Sequence, residues 1–143
     1  MKNKLELCSG NNPRELEGYE NYCVDLIKKY DKNYFQVNLG FQDLPFKDNF
    51  FDYIQCIDGL EHVPRTMWEN IEGDYIRKLP FVHLMNEIYR VSKHESIFYI
   101  ETPGSDQAFH RDITHCNYLS HDWYEYFKKE DNLYFEQSLI KTN

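Results

Sequence analysis

The sequence predicts a single α/β domain built on a mostly parallel β-sheet with flanking helices. Two observations carry this. Five short apolar runs, Leu5 to Cys8, Tyr22 to Ile27, Tyr34 to Leu39, Phe51 to Ile57 and Ser96 to Glu101, alternate with polar or helical stretches, as in βαβ proteins rather than sandwiches or bundles. Each run is four to seven residues long, the length of a buried strand. The chain has 143 residues, enough for one domain that buries about two thirds of its unfolded surface.

Taken in order, the first run passes into Ser9-Gly10 and then Asn11 to Glu20. Here Asn12 is a candidate helix cap, Pro13 suits a first helical position, Glu15 completes a capping box and Gly18 stops the turn. That helix is barely one and a half turns, close to the shortest connection between parallel strands. The clearest helix begins near Pro80. Phe81, Leu84, Met85, Ile88 and Val91 share one face, and Asn86, Glu87 and Arg90 are expected to face away. Pro64 to Leu79 reads as loosely helical around Trp68, Ile71, Tyr75 and Ile76, with Gly73 as a break. A later helix starts after Ser120, with Asp122 and Glu125 early and Lys128-Lys129 late, as the helix dipole favours. Leu133 to Ile140 reads as a final edge strand.

Composition narrows the function classes. The chain carries 16 Lys and Arg against 24 Asp and Glu, a net charge of −8, and has no basic stripe to neutralise phosphates. Nucleic acid and anionic membrane are therefore disfavoured as partners. Aromatic residues make up 17% of the chain, so rings build the core and part of the surface. Cys8, Cys23, Cys56 and Cys116 lack C-x-x-C spacing and read as buried free thiols. With no apolar leader and no long apolar run, a cytoplasmic location is expected.

A strand running into a small-residue turn lets backbone N–H groups approach an anionic ligand, and Glu6 to Gly10 supply that geometry. Gly10 is the only glycine there, so the dinucleotide pattern G-x-G-x-x-G is not met. Asp25, at the end of the second run, is placed to accept hydrogen bonds from both hydroxyls of a ribose, although an acid ending a strand also serves as a turn former.

Leu5-Glu6-Leu7-Cys8-Ser9-Gly10, Asp25, Leu44 to Asp52, Leu60-Glu61-His62-Val63-Pro64, Met85 to Lys93 and Thr102-Pro103 together resemble the class I, type 11 methyltransferases in order and spacing. The resemblance implies a Rossmann-like fold with S-adenosylmethionine as cofactor. It implies that Glu6, Cys8, Ser9 and Gly10 hold the cofactor's methionine end, Asp25 the ribose, Leu26 with Asp43 and Leu44 the adenine, and that Asp58 lies beside the amino-acid end. The adenine register is open among Asn38, Gly40 and Asp43. Cys8 stands where the family most often has Gly, Asn12 replaces a later Gly, and His94-Glu95 replace its usual Pro-Gly. The helix that usually precedes the first strand is missing from the reading, so the domain is a minimal form, and a C-terminal extension that usually covers the acceptor pocket is also absent.

Methyl transfer is an in-line displacement, so the protein must align the acceptor and, for a hydroxyl or amine, remove its proton. Phe109 to His115 follows the fifth run and so lies at the carboxyl ends of the strands. His110 or His115 is the candidate base, with Asp112 or Arg111 orienting; the alternative is that these groups only tie down the loop. No metal is assigned, although two histidines and a carboxylate at this spacing could hold one. Glu61-His62 either take part in the chemistry or merely cap and solvate the helix after strand four.

The sequence thus points to a methyltransferase acting on an oxygen or nitrogen of a small molecule or glycan. The alternative is an inactive relative serving as a cofactor-binding or partner subunit. A nicotinamide-dependent oxidoreductase is disfavoured by the missing glycines. A homodimer is the expected way to hide apolar sheet edge.

Overall fold

The computed structural model describes residues 1–27, 32–104 and 106–128. Five parallel strands form the central sheet: β1 (Lys2–Leu7), β2 (Tyr19–Asp25), β3 (Tyr34–Gln36), β4 (Phe51–Ile57) and, after a hairpin of β5 (Met67–Ile71) and β6 (Asp74–Lys78), β7 (Ser92–Glu101). The order across the sheet is β3-β2-β1-β4-β7. The strand order reverses between β1 and β4, and open parallel sheets bind ligands at the carboxyl ends of the strands flanking such a point. All five strands match the apolar runs in the sequence.

The two faces of the sheet differ in kind. On one, the register rows Leu5–Ile54–Phe98 and Leu7–Cys56–Ile100 meet α1 (Pro80–Val91), whose Phe81, Leu84, Met85, Ile88 and Val91 join the same core. Pro80 supplies a preset φ at the first turn, and the apolar stripe expected from the sequence is the buried one. Tyr22, Phe46, Phe50 and Phe51 pack beside it, edge-on except for the stacked Phe46–Phe50 pair, with ring centroids 4.8–6.3 Å apart.

The opposite face is polar around Lys4, Glu6 and Gln55, where the Arg14 backbone bonds to it, and carries Ile97 and Tyr99 toward the β7 edge. Lys4 and Glu6 are 2% and 1% exposed and pair at 3.2 Å. Glu6 also accepts from the Arg14 amide at 2.6 Å, the Arg14 guanidinium at 3.2 Å and Gln55 Nε2 at 3.1 Å, while Lys4 donates to the Arg14 carbonyl. The expected capped helix is therefore absent. Pro13 to Leu16 is irregular, its amides taken by Glu6 and by the Asn21 side chain (2.9 Å to the Leu16 amide). A stretch this short cannot repay helix nucleation, and these side chains offer its backbone better partners.

Two further expectations are corrected. Pro64 to Leu79 is not helical. It holds the antiparallel β5–β6 hairpin, turned by Glu72 (φ 52°) and Gly73 (φ 97°), the paired positive values of a two-residue hairpin loop. The segment after Ser120 forms a 3-10 helix, Trp123–Lys128, rather than an α-helix; its Trp123 and Phe127 pack on Phe81. The expected strand at Leu133 to Ile140 lies outside the described residues. Among the described residues no helix is long and apolar enough to cross a membrane.

Cys8 (φ 55°) and Glu95 (φ 59°) adopt left-handed backbone conformations. These are two of the three positions at which the resembled family prefers glycine, and there the backbone shape persists where the residue does not; the third, Asn12, is not among the positive-φ residues. Glu95 is exposed within β7, where the ladder with β4 shifts register, and has little packing to lose. Glu95→Gly is expected to raise unfolding free energy by about 0.5–1 kcal/mol, read by urea denaturation; a loss of stability would show that its φ carries no strain.

Candidate functional site

The turn after β1 and the end of β2 meet. The Gly10 amide donates to Asp25 Oδ2 at 2.9 Å, and Asp25 Oδ1 accepts from the Ile27 amide at 3.1 Å. Tyr34 braces the turn from β3: Ser9 Oγ lies 3.0 Å from its hydroxyl, which donates to the Gly10 carbonyl at 3.1 Å. A Cβ built on Gly10 would meet nothing within 4 Å, so open space stands above the turn. Asp25 keeps lone pairs for further donors, since a carboxylate has about four acceptor positions.

Asp58 ends β4 with φ 50°, its amide donating to the Glu101 carbonyl at 3.0 Å. Gly59 follows and packs on the β1 turn: a Cβ there would meet Cys8 Cβ and Sγ at 2.7 Å and Cys56 Sγ at 2.8 Å. Cys56 is fully buried, and the neighbouring Cys8 thiol and burial together push its thiol well up. Neither sulfur can yield cheaply, so Gly59→Ala is expected to cost about 1–3 kcal/mol in thermal or urea unfolding, and an unchanged midpoint would refute the close approach. Cys8, Cys23, Cys56 and Cys116 are all free thiols, with Cys116 exposed rather than buried.

Other residues assigned from the sequence sit differently. Glu6 is enclosed by Lys4, Arg14 and Gln55 rather than presented to the crevice, so it supports the turn from beneath. Leu44 is a core residue at 2% exposure, its amide bonded to Glu87 Oε2 at 2.7 Å, and so has no free face for an adenine. Asp43 is exposed and lies 3.2 Å from His83 of α1. Leu26 is exposed beside Asp25.

Glu87, expected to face solvent, is buried instead. Burial alone would raise its carboxyl, but the Arg90 hydrogen bonds and the Leu44 amide lower it below the usual value. Arg90 donates to Glu87 at 2.7 Å, to the Leu44 and Phe46 carbonyls at 2.9 and 2.7 Å and to Asp48 at 2.9 Å. The two longest motif segments, Leu44 to Asp52 and Met85 to Lys93, thus serve largely as each other's structural partners.

A second cluster stands just beyond Asp58. Glu61 and His62 lie in a 3-10 turn, Leu60–His62, and the Glu61 carbonyl accepts from the Cys116 and Asn117 amides at 2.9 and 3.0 Å. This docks the segment after α2 (Asp106–His110) and brings His115 beside Glu61, with Nε2 3.8 Å from Glu61 Oε1 and 3.9 Å from Asp112 Oδ2. Burial pushes the Glu61 carboxyl up. Asp112 is held below its usual value by the Thr114 hydroxyl and amide. His110 does not join the cluster; it is exposed at the end of α2, its ring against Phe109. Arg111 is likewise exposed.

A cavity of about 960 Å³ lies along the β7 edge between Tyr89, Phe98, Tyr118 and Trp123. Asp58 reaches its rim, but Gly10 and Asp25 do not line it.

No family model matches the chain. It is 32% identical over 88 residues to the sterol 24-C-methyltransferase of Schizosaccharomyces pombe, an alignment covering 62% of this chain and 19% of that protein. A solved SAM-dependent methyltransferase from Archaeoglobus fulgidus superposes with a TM-score of 0.60 at 18% identity, covering 85% of this chain and 56% of that one. The chain therefore spans about a fifth of the curated relative and just over half of the solved structure. The chain shares the Rossmann-like, mostly parallel fold of that solved methyltransferase, as the sequence resemblance implied.

Proposed function

We propose that this chain forms the S-adenosylmethionine-binding core of a methyltransferase acting on an oxygen or nitrogen of a small molecule or glycan. The observation that carries the reading is the meeting of the Gly10 amide and the Asp25 carboxylate at the carboxyl ends of β1 and β2, next to the strand-order reversal, with open space above the turn. In this reading the backbone of Cys8, Ser9 and Gly10 cradles the amino-acid end of the cofactor, Asp25 accepts the ribose hydroxyls, Leu26 borders the adenine and Asp58 faces the α-amino group. The bound cofactor supplies an electrophilic methyl on a cationic sulfur.

The acceptor side is assigned to the cluster of Glu61, His62, Asp112 and His115, which follows Asp58 and includes a buried carboxylate beside an imidazole. Removal of the acceptor proton falls to this cluster. The yeast relative's name specifies a carbon acceptor, so the acceptor atom is a matter for experiment. Incubation with methyl-labelled cofactor and extracts of small metabolites or glycans is expected to give S-adenosylhomocysteine. His115→Ala is expected to lower turnover by about 100-fold or more, while His110→Ala retains it. Full turnover by His115→Ala would remove His115 from the chemistry. Cofactor binding without turnover on any acceptor would instead favour a non-catalytic partner subunit, a reading supported by the exposed Ile97 and Tyr99 on β7.

A further inference from the structure

The Glu61 carboxylate is only 1% exposed, and neither of its oxygens has a hydrogen-bond partner. Leaving such a group bare costs about 1–3 kcal/mol, more when it is charged. Glu61, His62 and His115 each offer one ligand atom, and these atoms all lie within 4.8 Å of one another.

The hydrogen bonds behind the two rings fix what each ring turns toward its surroundings. His115 Nδ1 lies 2.7 Å from the Phe109 carbonyl, which can only accept, so Nδ1 carries a proton, and in the neutral ring Nε2, the nitrogen facing Glu61, has a lone pair. Thr114 Oγ1 gives its one hydrogen to Asp112 Oδ1 at 2.6 Å. It therefore accepts from His62 Nδ1 at 3.1 Å, and in the neutral ring the His62 Nε2 then has the lone pair. Metal-bound histidines are oriented in this way, by a carbonyl or a carboxylate-linked partner behind the ring.

We infer that Glu61, His62 and His115 form a binding site for a first-row divalent transition-metal ion. Two imidazoles and one carboxylate favour zinc, iron, cobalt or manganese over magnesium or calcium, which prefer oxygen donors. Ligand atoms around a zinc ion stand about 3.3 Å apart for bonds of ~2.0–2.1 Å, so the widest pair, at up to 4.8 Å, must close by about 1.5 Å. The buried Glu61 sits on the turn that holds it, and His115 sits on the segment docked to that turn through the Glu61 carbonyl. Three protein ligands leave coordination positions open, and a role for the ion in holding an oxygen acceptor rests on the methyl-transfer reading above; metal binding itself does not.

Cobalt titration of the untagged, chelator-stripped chain tests this. One equivalent of Co²⁺ is expected to bind with visible ligand-field bands, and Zn²⁺ to displace it. Glu61→Gln and His115→Ala should each weaken binding by more than the ~10–100-fold typical of losing a supporting outer partner, and Thr114→Val by about that lesser amount. Circular dichroism checks that each variant is folded. Should Glu61→Gln unfold, His62→Ala, at an exposed position, takes its place with the same expected loss. Absence of Co²⁺ and Zn²⁺ binding, or binding unchanged in the folded variants, overturns the site and leaves a proton as its only occupant. Titration of S-adenosylmethionine into the same samples separates the claims, because metal binding without cofactor binding sinks the methyl-transfer reading and leaves this inference standing.

Discussion

Replacing Glu6 with alanine is expected to lower unfolding free energy by about 3–5 kcal/mol, the usual cost of removing one partner from a buried ion pair. Lys4 would keep an ammonium at 2% exposure with its carboxylate gone, and Arg14 would lose the acceptor for both its amide and its guanidinium. Because most small domains hold only about 5–15 kcal/mol, the expected drop in Tm is on the order of 10–15 °C. The double variant Lys4→Met with Glu6→Leu is expected to recover most of the loss, since apolar residues of similar volume often replace a buried pair without cost. Urea denaturation of the two variants is the check. A Glu6→Ala protein within about 1 kcal/mol of the parent would mean that the cluster is hydrated and that chain 11–18 is not held by it.

Asp25→Ala is expected to weaken S-adenosylmethionine binding by about 100-fold or more. Two ribose hydroxyls bonded to a carboxylate contribute roughly 1.5–3 kcal/mol each, and every 1.4 kcal/mol is tenfold in affinity. The substitution also frees the Gly10 amide, which Asp25 holds at 2.9 Å, so the turn loses part of its prearrangement. Asp25→Asn separates the two effects. It retains an acceptor oxygen for the Gly10 amide but not the charge, and an intermediate loss is expected. Calorimetry on both variants, with thermal melts to show that they remain folded, reads the difference.

The strands were legible in the sequence because each is a short apolar run; the inner ones need no alternation, and on β7 the exposed face still carries Ile97 and Tyr99. The helix over α1 was legible from its stripe. The hairpin was not, because all ten of its strand residues are exposed and no buried face imposes a period of two. Its signal was local, in the Glu72-Gly73 turn. Asn12, Pro13 and Glu15 imitate a helix start, and only the buried Glu6 and the Asn21 side chain, neither a helix signal, decide against it.

For the candidate site, position in the chain was enough to pair the β1 turn with Asp25, since adjacent parallel strands bring their carboxyl ends together. The joining of Glu61 to His115 was not legible, because it depends on two backbone hydrogen bonds between segments far apart in sequence. The burial of Leu44, Glu6 and Glu87 was missed for a related reason. A polar or small motif residue looks the same in sequence whether it faces a ligand or satisfies an internal donor, as Glu87 does for the Leu44 amide.

Calorimetric titration of the unaltered chain with S-adenosylmethionine tests the central claim most directly. One-site binding is expected, accompanied by a rise in Tm that grows with cofactor concentration and is largely lost in Asp25→Ala. No heat and no thermal shift, or equal binding by the parent and a folded Asp25→Ala variant, would contradict it.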